Sequence, residues 1–205
     1  MRQITKEELA SLKTVAKASA ARASEALSKL IGIPVKLQMM QTRMVEVKHL
    51  IELLVFPEKS VSAVFLPVMT GESKGSSALI SSPQESLRLA ELIMKRPKGF
   101  LTQLDDPAIS ALKETANIIG GAFLSVLSDT AGVSFIQSVP SHAIDTINKV
   151  VDMAIAELGH KDSELWVALE IDFALSTTTI EEIMTNYIFL LEVASAQKLL
   201  EVLEK

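Results

Sequence analysis

The sequence contains no cysteine among its 205 residues. This absence excludes disulfide frameworks, thiolate zinc sites and cysteine nucleophiles. The three histidines, His49, His142 and His160, are far apart and do not have the spacing of metal ligands. No G-x-S-x-G motif is present, which argues against a serine hydrolase of the α/β type. Several common kinds of catalytic site are therefore excluded before any motif is considered.

Positive charge and long apolar runs are also scarce. The formal net charge is −5, which argues against a nucleic-acid-binding protein. No apolar run reaches the length of about 18 residues that a membrane-spanning helix needs. The opening residues, MRQITKEELA, are too polar for a signal peptide, so we expect a cytoplasmic protein without a membrane partner.

Apolar residues make up 48% of the chain and charged residues 22%, which is typical of a protein with a sizeable core. Aromatic residues are only 4%, so this core must consist mainly of Leu, Ile, Val, Ala and Met. Helical periodicity predicts long helices over 7–30 and 106–130. The second should begin with Asp106 as N-cap and Pro107 at the first helical position. Shorter helices are predicted over 83–94 and 194–203, and strands over 35–40, 61–70, 76–81, 133–139, 165–175 and 186–193.

The second half of the chain repeats part of the first at an offset of 100 residues. The identical pairs lie in the two long helices and in the glycines that follow them: Leu12/Leu112, Lys13/Lys113, Ala16/Ala116, Leu27/Leu127, Ser28/Ser128 and Gly32/Gly132. We predict an α/β (α+β) fold, a single domain over 1–205 of two pseudosymmetric halves, about 1–99 and 100–205. Each half has a long helix, strands of a shared sheet and a closing helix. The second half carries an extra helix over 141–158, capped by Ser141.

One face of the helix over 106–130 is polar. Ser110, Glu114, Asn117 and Gly121 fall within about 60° of each other, opposite the apolar side. Gly120 and Gly121 lie mid-helix, where each glycine costs roughly 1 kcal/mol relative to alanine. A reason for them is close approach of another backbone, either of a partner or of a neighbouring strand. A merely solvated helix face remains the alternative.

The first helix provides an internal comparison. Its equivalent positions are Ala10, Thr14, Lys17 and Ala21. The helix is retained there, but the carboxylate and the carboxamide are not. The sequence therefore predicts at most one polar constellation of this kind, in the second half.

The spacing Ser110-x3-Glu114-x2-Asn117-x22-Pro140 resembles the signature of the CheC-type chemotaxis phosphatases, the CheC/CheX/FliY family. The surrounding segment "ALKETANIIGGAFLSVLSDTAGV" is similar to that family's signature helix, and the first helix resembles it in degenerate form. The resemblance covers nearly the whole chain. It implies a phosphatase that hydrolyses the aspartyl phosphate of a CheY-type response regulator, with one site, because Thr14 and Lys17 depart from the pattern.

The resemblance implies roles for individual residues. Asn117 would orient the attacking water, since an amide can donate and accept a hydrogen bond at once. Glu114 would pair with the lysine of the regulator. Supporting or docking roles fall to Ser110, Gly120, Gly121 and Pro140. No cofactor of its own is implied, because Mg²⁺ is held by the response regulator.

The same resemblance implies a second partner, the receptor-modifying deamidase CheD. Its candidate contacts are Ile144, Asp145 and Asn148 on the predicted extra helix, for which an ordinary amphipathic helix covering the sheet is the alternative. Internal pseudosymmetry favours a monomer. The alternative function is a non-catalytic adaptor that binds CheD or the phosphorylated regulator and controls receptor modification. A flagellar-switch component is a third possibility.

Overall fold

The computed structural model describes residues 4–46, 49, 60–70, 73–132, 134–158, 165–177 and 180–203. Five helices and seven strands lie within these ranges. In chain order they are α1 (Lys6–Ile31), β1 (Lys36–Glu46), β2 (Val61–Thr70), β3 (Ser73–Ser81), α2 (Pro83–Ile93), α3 (Asp106–Ala131), β4 (Ile136–Gln137), β5 (Ser141–Asp145), α4 (Ile147–Leu158), β6 (Leu165–Thr177), β7 (Ile180–Glu192) and α5 (Val193–Leu203).

The two long helices begin and end at recognisable signals. At the start of α1, the Thr5 hydroxyl accepts from the Glu8 amide at 3.2 Å, and the Glu8 carboxylate accepts from the Thr5 amide at 2.7 Å. Gly32 ends α1 and Gly132 ends α3, both in the left-handed conformation that glycine adopts without strain. Both predicted helices are therefore confirmed to within one residue at each end.

The seven strands form one antiparallel sheet in the order β1-β6-β7-β3-β2-β4, with β5 also paired to β2. The arrangement of strands is the same on both sides of the central β3–β7 pair: a hairpin of one half, followed by strands of the other half. On one side the hairpin β6–β7 of the second half is flanked by β1 of the first, and on the other side β2–β3 is flanked by β4 and β5 of the second. Each half thus supplies an outer strand to the hairpin of the other, an order consistent with two pseudosymmetric halves.

Local contacts repeat as well. The Ser28 hydroxyl accepts from the Val35 amide at 2.9 Å, and the Ser128 hydroxyl accepts from the Phe135 amide at 3.3 Å. Both bonds join the last turns of a long helix to the chain that returns toward the sheet, and they lie 100 residues apart. The repeat in sequence is therefore accompanied by a repeat in geometry.

The main core lies between the sheet and the four helices α1, α2, α3 and α5. It is built chiefly from aliphatic side chains, with Phe123 packed against Tyr187 and Phe189 at ring-centroid distances of 6.1 and 5.2 Å. Burying each large apolar side chain stabilises the fold by roughly 1.5–3 kcal/mol. Helix α4 packs on the opposite face of the sheet, where Val150 contacts Phe65 and its neighbours. The structure therefore has three layers, with α1 and α3 together on one side.

The predicted helix over 141–158 is wrong in its first part. Ser141–Asp145 is strand β5, and α4 begins at Ile147. Thr146, not Ser141, precedes the helix, and its carbonyl accepts from the Val150 amide at 3.0 Å. The outer edge of β2 offers unpaired backbone groups, and pairing with them outweighs the local helical pattern.

Several smaller predictions also change. The strand over 133–139 is reduced to Ile136–Gln137, with residue 133 outside the described ranges. Strands β1 and β7 are longer than predicted, at Lys36–Glu46 and Ile180–Glu192. The N-cap of α3 is Asp105, not Asp106. His160 lies outside the described residues.

Candidate functional site

The polar stripe of α3 faces away from the core. Ser110, Glu114, Asn117 and Gly121 are all exposed. The opposite side of the same helix is buried, with Leu112, Ala116 and Phe123 among its members. Glu114 and Asn117 lie about one turn apart, so their side chains are neighbours on the surface. A second protein could therefore contact the carboxylate and the amide together.

Helix α3 holds this stripe on a rigid element. The Asp105 carboxylate accepts from the Ala108 amide at 2.9 Å and so caps the N-terminus, one turn before the stripe. Ala108 and Leu112 are buried, which fixes the first turns against the core. The Thr115 hydroxyl is buried and donates to the Ala111 carbonyl at 2.8 Å. The backbone that carries Glu114 and Asn117 is therefore held by neighbours on both sides of them.

Gly120 and Gly121 have different surroundings. A Cβ atom placed on Gly120 would collide with the side-chain nitrogen of Gln137 and would lie 2.9 Å from the Tyr187 hydroxyl. A Cβ on Gly121 would meet only Gln137 Oε1, at an ordinary 3.5 Å. Gly120 is buried and is required by the chain's own strand β4, whereas Gly121 is exposed on the stripe. The sequence left open whether the glycines allow close approach of a partner or of a neighbouring strand. For Gly120, the neighbouring strand β4 is the reason.

A buried polar cluster lies behind Gly120. It consists of the Gln137 amide, the Tyr187 hydroxyl and the Ser77 hydroxyl. Each contributes a buried atom without a hydrogen-bond partner of good geometry among the described residues: Gln137 Nε2, Tyr187 Oη and Ser77 Oγ. Burial raises the pKa of Tyr187 well above its usual value, and the adjacent Ser77 hydroxyl only partly offsets this. Sequence reasoning missed this cluster, although the two adjacent glycines were a signal that something approaches α3 closely.

Pro140 lies between β4 and β5, where the outer edge strand is interrupted. On one side of it the Ser138 amide donates to the Pro67 carbonyl at 2.8 Å, which ties the interruption to β2. Val139, immediately before it, is 83% exposed. Pro140 has no amide hydrogen to continue the ladder, so its position fits a role in shaping the segment beside α3.

His142 lies on β5 at the same edge. Its Nε2 is 3.0 Å from the Ser62 hydroxyl, and burial together with the nearby positive charge of Lys113 lowers the pKa of the imidazole. Lys113 belongs to α3, next to Glu114. The β4–β5 edge is therefore in electrostatic contact with the helix that carries the stripe.

The three candidate contacts for a second partner do not share one surface. Ile144 and Asp145 are adjacent on β5, so their side chains point to opposite faces of the sheet, and only Asn148 is on α4. Ile144 is 46% exposed. The Asp145 carboxylate accepts from the Thr146 amide at 2.7 Å and from Lys149 Nζ at 3.2 Å, and these bonds lower its pKa. Placing all three on one helix was wrong, because β5 takes the first two.

The first half presents the same helix face without its chemistry. Ala10, Thr14, Lys17 and Ala21 are all exposed on α1. Thr14 donates its hydroxyl hydrogen to the Ala10 carbonyl at 3.1 Å, a bond within its own helix. The two halves therefore offer two equivalent surfaces, of which the second alone carries a carboxylate and a carboxamide.

Among the described residues, no cluster of three His, Asp or Glu side chains could hold a metal ion. Within the same ranges, none of the helices combines the length and the apolar character that crossing a membrane requires.

The fold is shared with solved structures of FliY and FliM. FliY of Thermotoga maritima superposes with a TM-score of 0.78 at 15% identity, covering 99% of this chain and 98% of FliY. FliM of H. pylori, solved in complex with SpeE, superposes with a TM-score of 0.70 at 12% identity, covering 98% of this chain and 97% of FliM. At these identities the similarity shows an α+β fold of the CheC, FliY and FliM middle-domain type.

The sequence comparison is more specific. No family model matches the chain. It is, however, 22% identical over 190 residues to the CheY-P phosphatase CheC of Bacillus subtilis, covering 92% of this chain and 89% of CheC. Over most of its length the chain is therefore similar to a CheC protein in sequence and to FliY in fold.

Proposed function

We propose that this protein is a phosphatase that hydrolyses the aspartyl phosphate of a CheY-type response regulator. The observation that carries the proposal is the exposed pair Glu114 and Asn117 on α3. The pair occurs at the family spacing in a chain that is similar to CheC over nearly its whole length. No other exposed pair of this kind occurs on α1, the helix that is equivalent to α3.

The chemistry asks little of the phosphatase. An aspartyl phosphate is an acyl phosphate, and attack of water on phosphorus releases inorganic phosphate and restores the carboxylate. The receiver domain of the regulator, which carries this group, brings its own Mg²⁺ and lysine to balance charge on the phosphoryl group. The remaining task is to place a water in line with the bond that breaks. Positioning of this kind suits a rigid helix better than a flexible loop.

Asn117 is the residue that we assign to the water. Its carboxamide can accept a hydrogen bond from the water and donate another to a phosphoryl oxygen. A carboxylate in that place would repel the negatively charged phosphoryl group. Asn117 is exposed and stands near the middle of α3, so it can enter a concave active site of a docked receiver.

Glu114 and its neighbours would fix the docking geometry. The Glu114 carboxylate is one turn before Asn117 and would form a charge-assisted hydrogen bond with the receiver lysine. Ser110 and Gly121 extend the same exposed stripe on either side and would allow the receiver to lie close to the helix. Pro140 would shape the adjacent edge.

The test is dephosphorylation of a phosphorylated CheY-type receiver by the wild-type chain and by Asn117→Ala and Glu114→Ala. We expect Asn117→Ala to lower kcat by about 100-fold, since water is no longer oriented. Glu114→Ala should chiefly raise KM. The matched control is Lys17→Ala, at the position of α1 equivalent to Asn117, which should leave the rate unchanged. Wild-type rates in both α3 variants would contradict the proposal.

A non-catalytic adaptor is the second candidate, and the first half favours it. Its exposed stripe contains Thr14 and Lys17, so that surface could bind a partner without carrying out hydrolysis. Turnover separates the two functions. A phosphatase clears many equivalents of phosphorylated receiver per molecule, whereas an adaptor binds it and leaves it phosphorylated.

Other expectations stay proposals. A CheD-type partner could contact Asn148, which is exposed on α4, while Ile144 lies on the α3 side of β5 and Asp145 is engaged at the start of α4. A cytoplasmic location, a monomeric state and the lack of a resident cofactor also remain predictions. Gel filtration with and without CheD would test the partner and the oligomeric state together.

A further inference from the structure

Lys113 lies beside Asn117 on the surface of α3. The two residues are four positions apart, and side chains at that spacing are neighbours on a helix. Glu114 is three positions before Asn117 and neighbours it from the other side, because residues 113 and 114 are separated by 100° around the helix axis. The carboxamide of Asn117 therefore stands between a carboxylate and an ammonium group.

The side of α3 that carries Lys113 faces the outer edge of the sheet. The pKa of His142, on β5, is lowered chiefly by burial and further by the positive charge of Lys113, so the two groups are close. Gly120 is seven positions after Lys113 and thus on the same side of the helix, and there Gln137 of β4 meets α3. Lys113 therefore stands between the polar stripe and the β4–β5 edge that runs along it.

No carboxylate on α3 is placed to neutralise this charge. The residues three and four positions away, which a helix brings alongside Lys113, are Ile109, Ser110, Ala116 and Asn117. Among the described residues, no carboxylate forms an ion pair with Lys113. Within that part of the chain, Lys113 presents its positive charge to whatever docks on the stripe.

The proposed partner brings negative charge to the same place. A phosphorylated receiver carries the phosphoryl group and the carboxylates that hold Mg²⁺. Because Asn117 would enter that site, a cation next to Asn117 reaches an anionic oxygen at its rim. An ammonium group is a compact charge on a long flexible stem, and Lys113 is half-buried, so its stem can rest on the protein while its head reaches the partner.

We propose that Lys113 is a docking residue of the phosphatase site, whose ammonium group pairs with an anionic oxygen at the rim of the receiver's phosphorylated site. This inference rests on the proposed function. The attacking water is assigned to Asn117, so Lys113 contributes to binding of the receiver and not to kcat. Attraction of this kind speeds association and is weakened by salt.

The test compares Lys113→Gln, which removes the charge, with Lys113→Arg, which keeps it. The matched control is Lys13→Gln, because Lys13 is the equivalent, equally half-buried residue of α1, the helix without the carboxylate and carboxamide. The measurements are KM and kcat for a phosphorylated receiver at about 50 and about 500 mM salt. We expect Lys113→Gln to raise KM about fivefold at low salt and to match wild type at high salt. Its kcat should change by less than about twofold, and the other two variants should match wild type.

Two sources of the anionic oxygen are distinguished by binding. Titration calorimetry with the receiver, loaded or not loaded with beryllofluoride, gives the Kd of each form. A weaker affinity of Lys113→Gln for the loaded form alone assigns the contact to the phosphoryl oxygen. An equal loss for both forms assigns it to a carboxylate of the receiver, and no loss for either would overturn the inference.

The imidazole of His142 reports the position of Lys113 without any receiver. Lys113→Gln should raise the pKa of His142, measured by NMR titration, because a positive charge that disfavours protonation is removed. A raised pKa with unchanged KM at low salt would overturn the docking role while leaving the proposed function intact. An unchanged pKa would overturn the placement of Lys113 itself. A wild-type chain that neither binds nor dephosphorylates the receiver would overturn the proposed function, and the inference with it.

Discussion

Gly120 and Gly121 are identical neighbours in α3, yet the structure gives them different tasks. Gly120 leaves space for the Gln137 side chain and the Tyr187 hydroxyl. Gly121 has no side chain that would project from the exposed stripe. Helix geometry turns each residue by 100° from the previous one, so adjacent positions face different surroundings. The energetic consequences of replacing them should differ in sign.

We expect Gly120→Ala to destabilise the protein by about 1–3 kcal/mol, because its Cβ would collide with the Gln137 side chain. Gly121→Ala should stabilise it by up to about 1 kcal/mol, since alanine is the better helix former and its Cβ fits. Urea denaturation followed by circular dichroism measures both. Equal changes in the free energy of unfolding for the two substitutions would show that the Gln137 side chain moves away from residue 120 without cost.

At the scale of elements, the start of α3 shows the limits of local signals. The segment Asp105-Asp106-Pro107 offers two aspartates that could each serve as the N-cap. The sequence pattern favoured Asp106, which would place Pro107 at the first helical position. In the structure Asp105 accepts from the Ala108 amide, and Pro107 occupies the second helical position. Pro is tolerated there because the first-turn amides have no intrahelical acceptor.

This assignment yields a prediction with a built-in comparison. Asp105→Ala should lower the free energy of unfolding by about 1 kcal/mol, since the cap hydrogen bond is lost. Asp106→Ala should cost less, because it removes only a favourable charge near the helix dipole. Chemical denaturation of both variants gives the answer, and a larger loss for Asp106→Ala would mean that α3 begins one residue later.

Strand β5 shows a different conflict between local and tertiary signals. Ile144, Ile147 and Val151 have helical spacing, which is why a helix from Ser141 was predicted. In the structure, 141–145 pairs with β2 from Val61 to Phe65, and Val150 becomes the buried residue of α4. The pairing partner lies about 80 residues away, so no local pattern could reveal it.

At the scale of the whole molecule, the strand order makes the halves interdependent. Among the described strands, β1 of the first half pairs with β6 of the second, and β2 of the first pairs with β4 and β5 of the second. Helices α1 and α3 pack on the same face over a shared core. Neither half buries its strands and helices without the other.

We therefore expect one cooperative unfolding transition for the full chain. Trp166 lies on β6 between β1 and β7, so its fluorescence reports one side of the sheet, while far-UV circular dichroism reports all elements. The two urea transitions should coincide. Fragments 1–99 and 100–205 should show none when separate. Two resolved transitions would mean that the halves fold independently.

The sequence by itself determined the long helices, the presence of strands β2 and β3 and the polar stripe of α3, because these follow from periodicity and end signals within a few residues. The spacing of Ser110, Glu114, Asn117 and Pro140 also indicated a resemblance to the CheC-type proteins. The tertiary structure decided that 141–145 is a strand and that Gly120 serves the fold. It also placed Gln137, Tyr187 and Ser77 together behind the stripe. These features join residues that are far apart in the chain, and only folding brings them within contact distance.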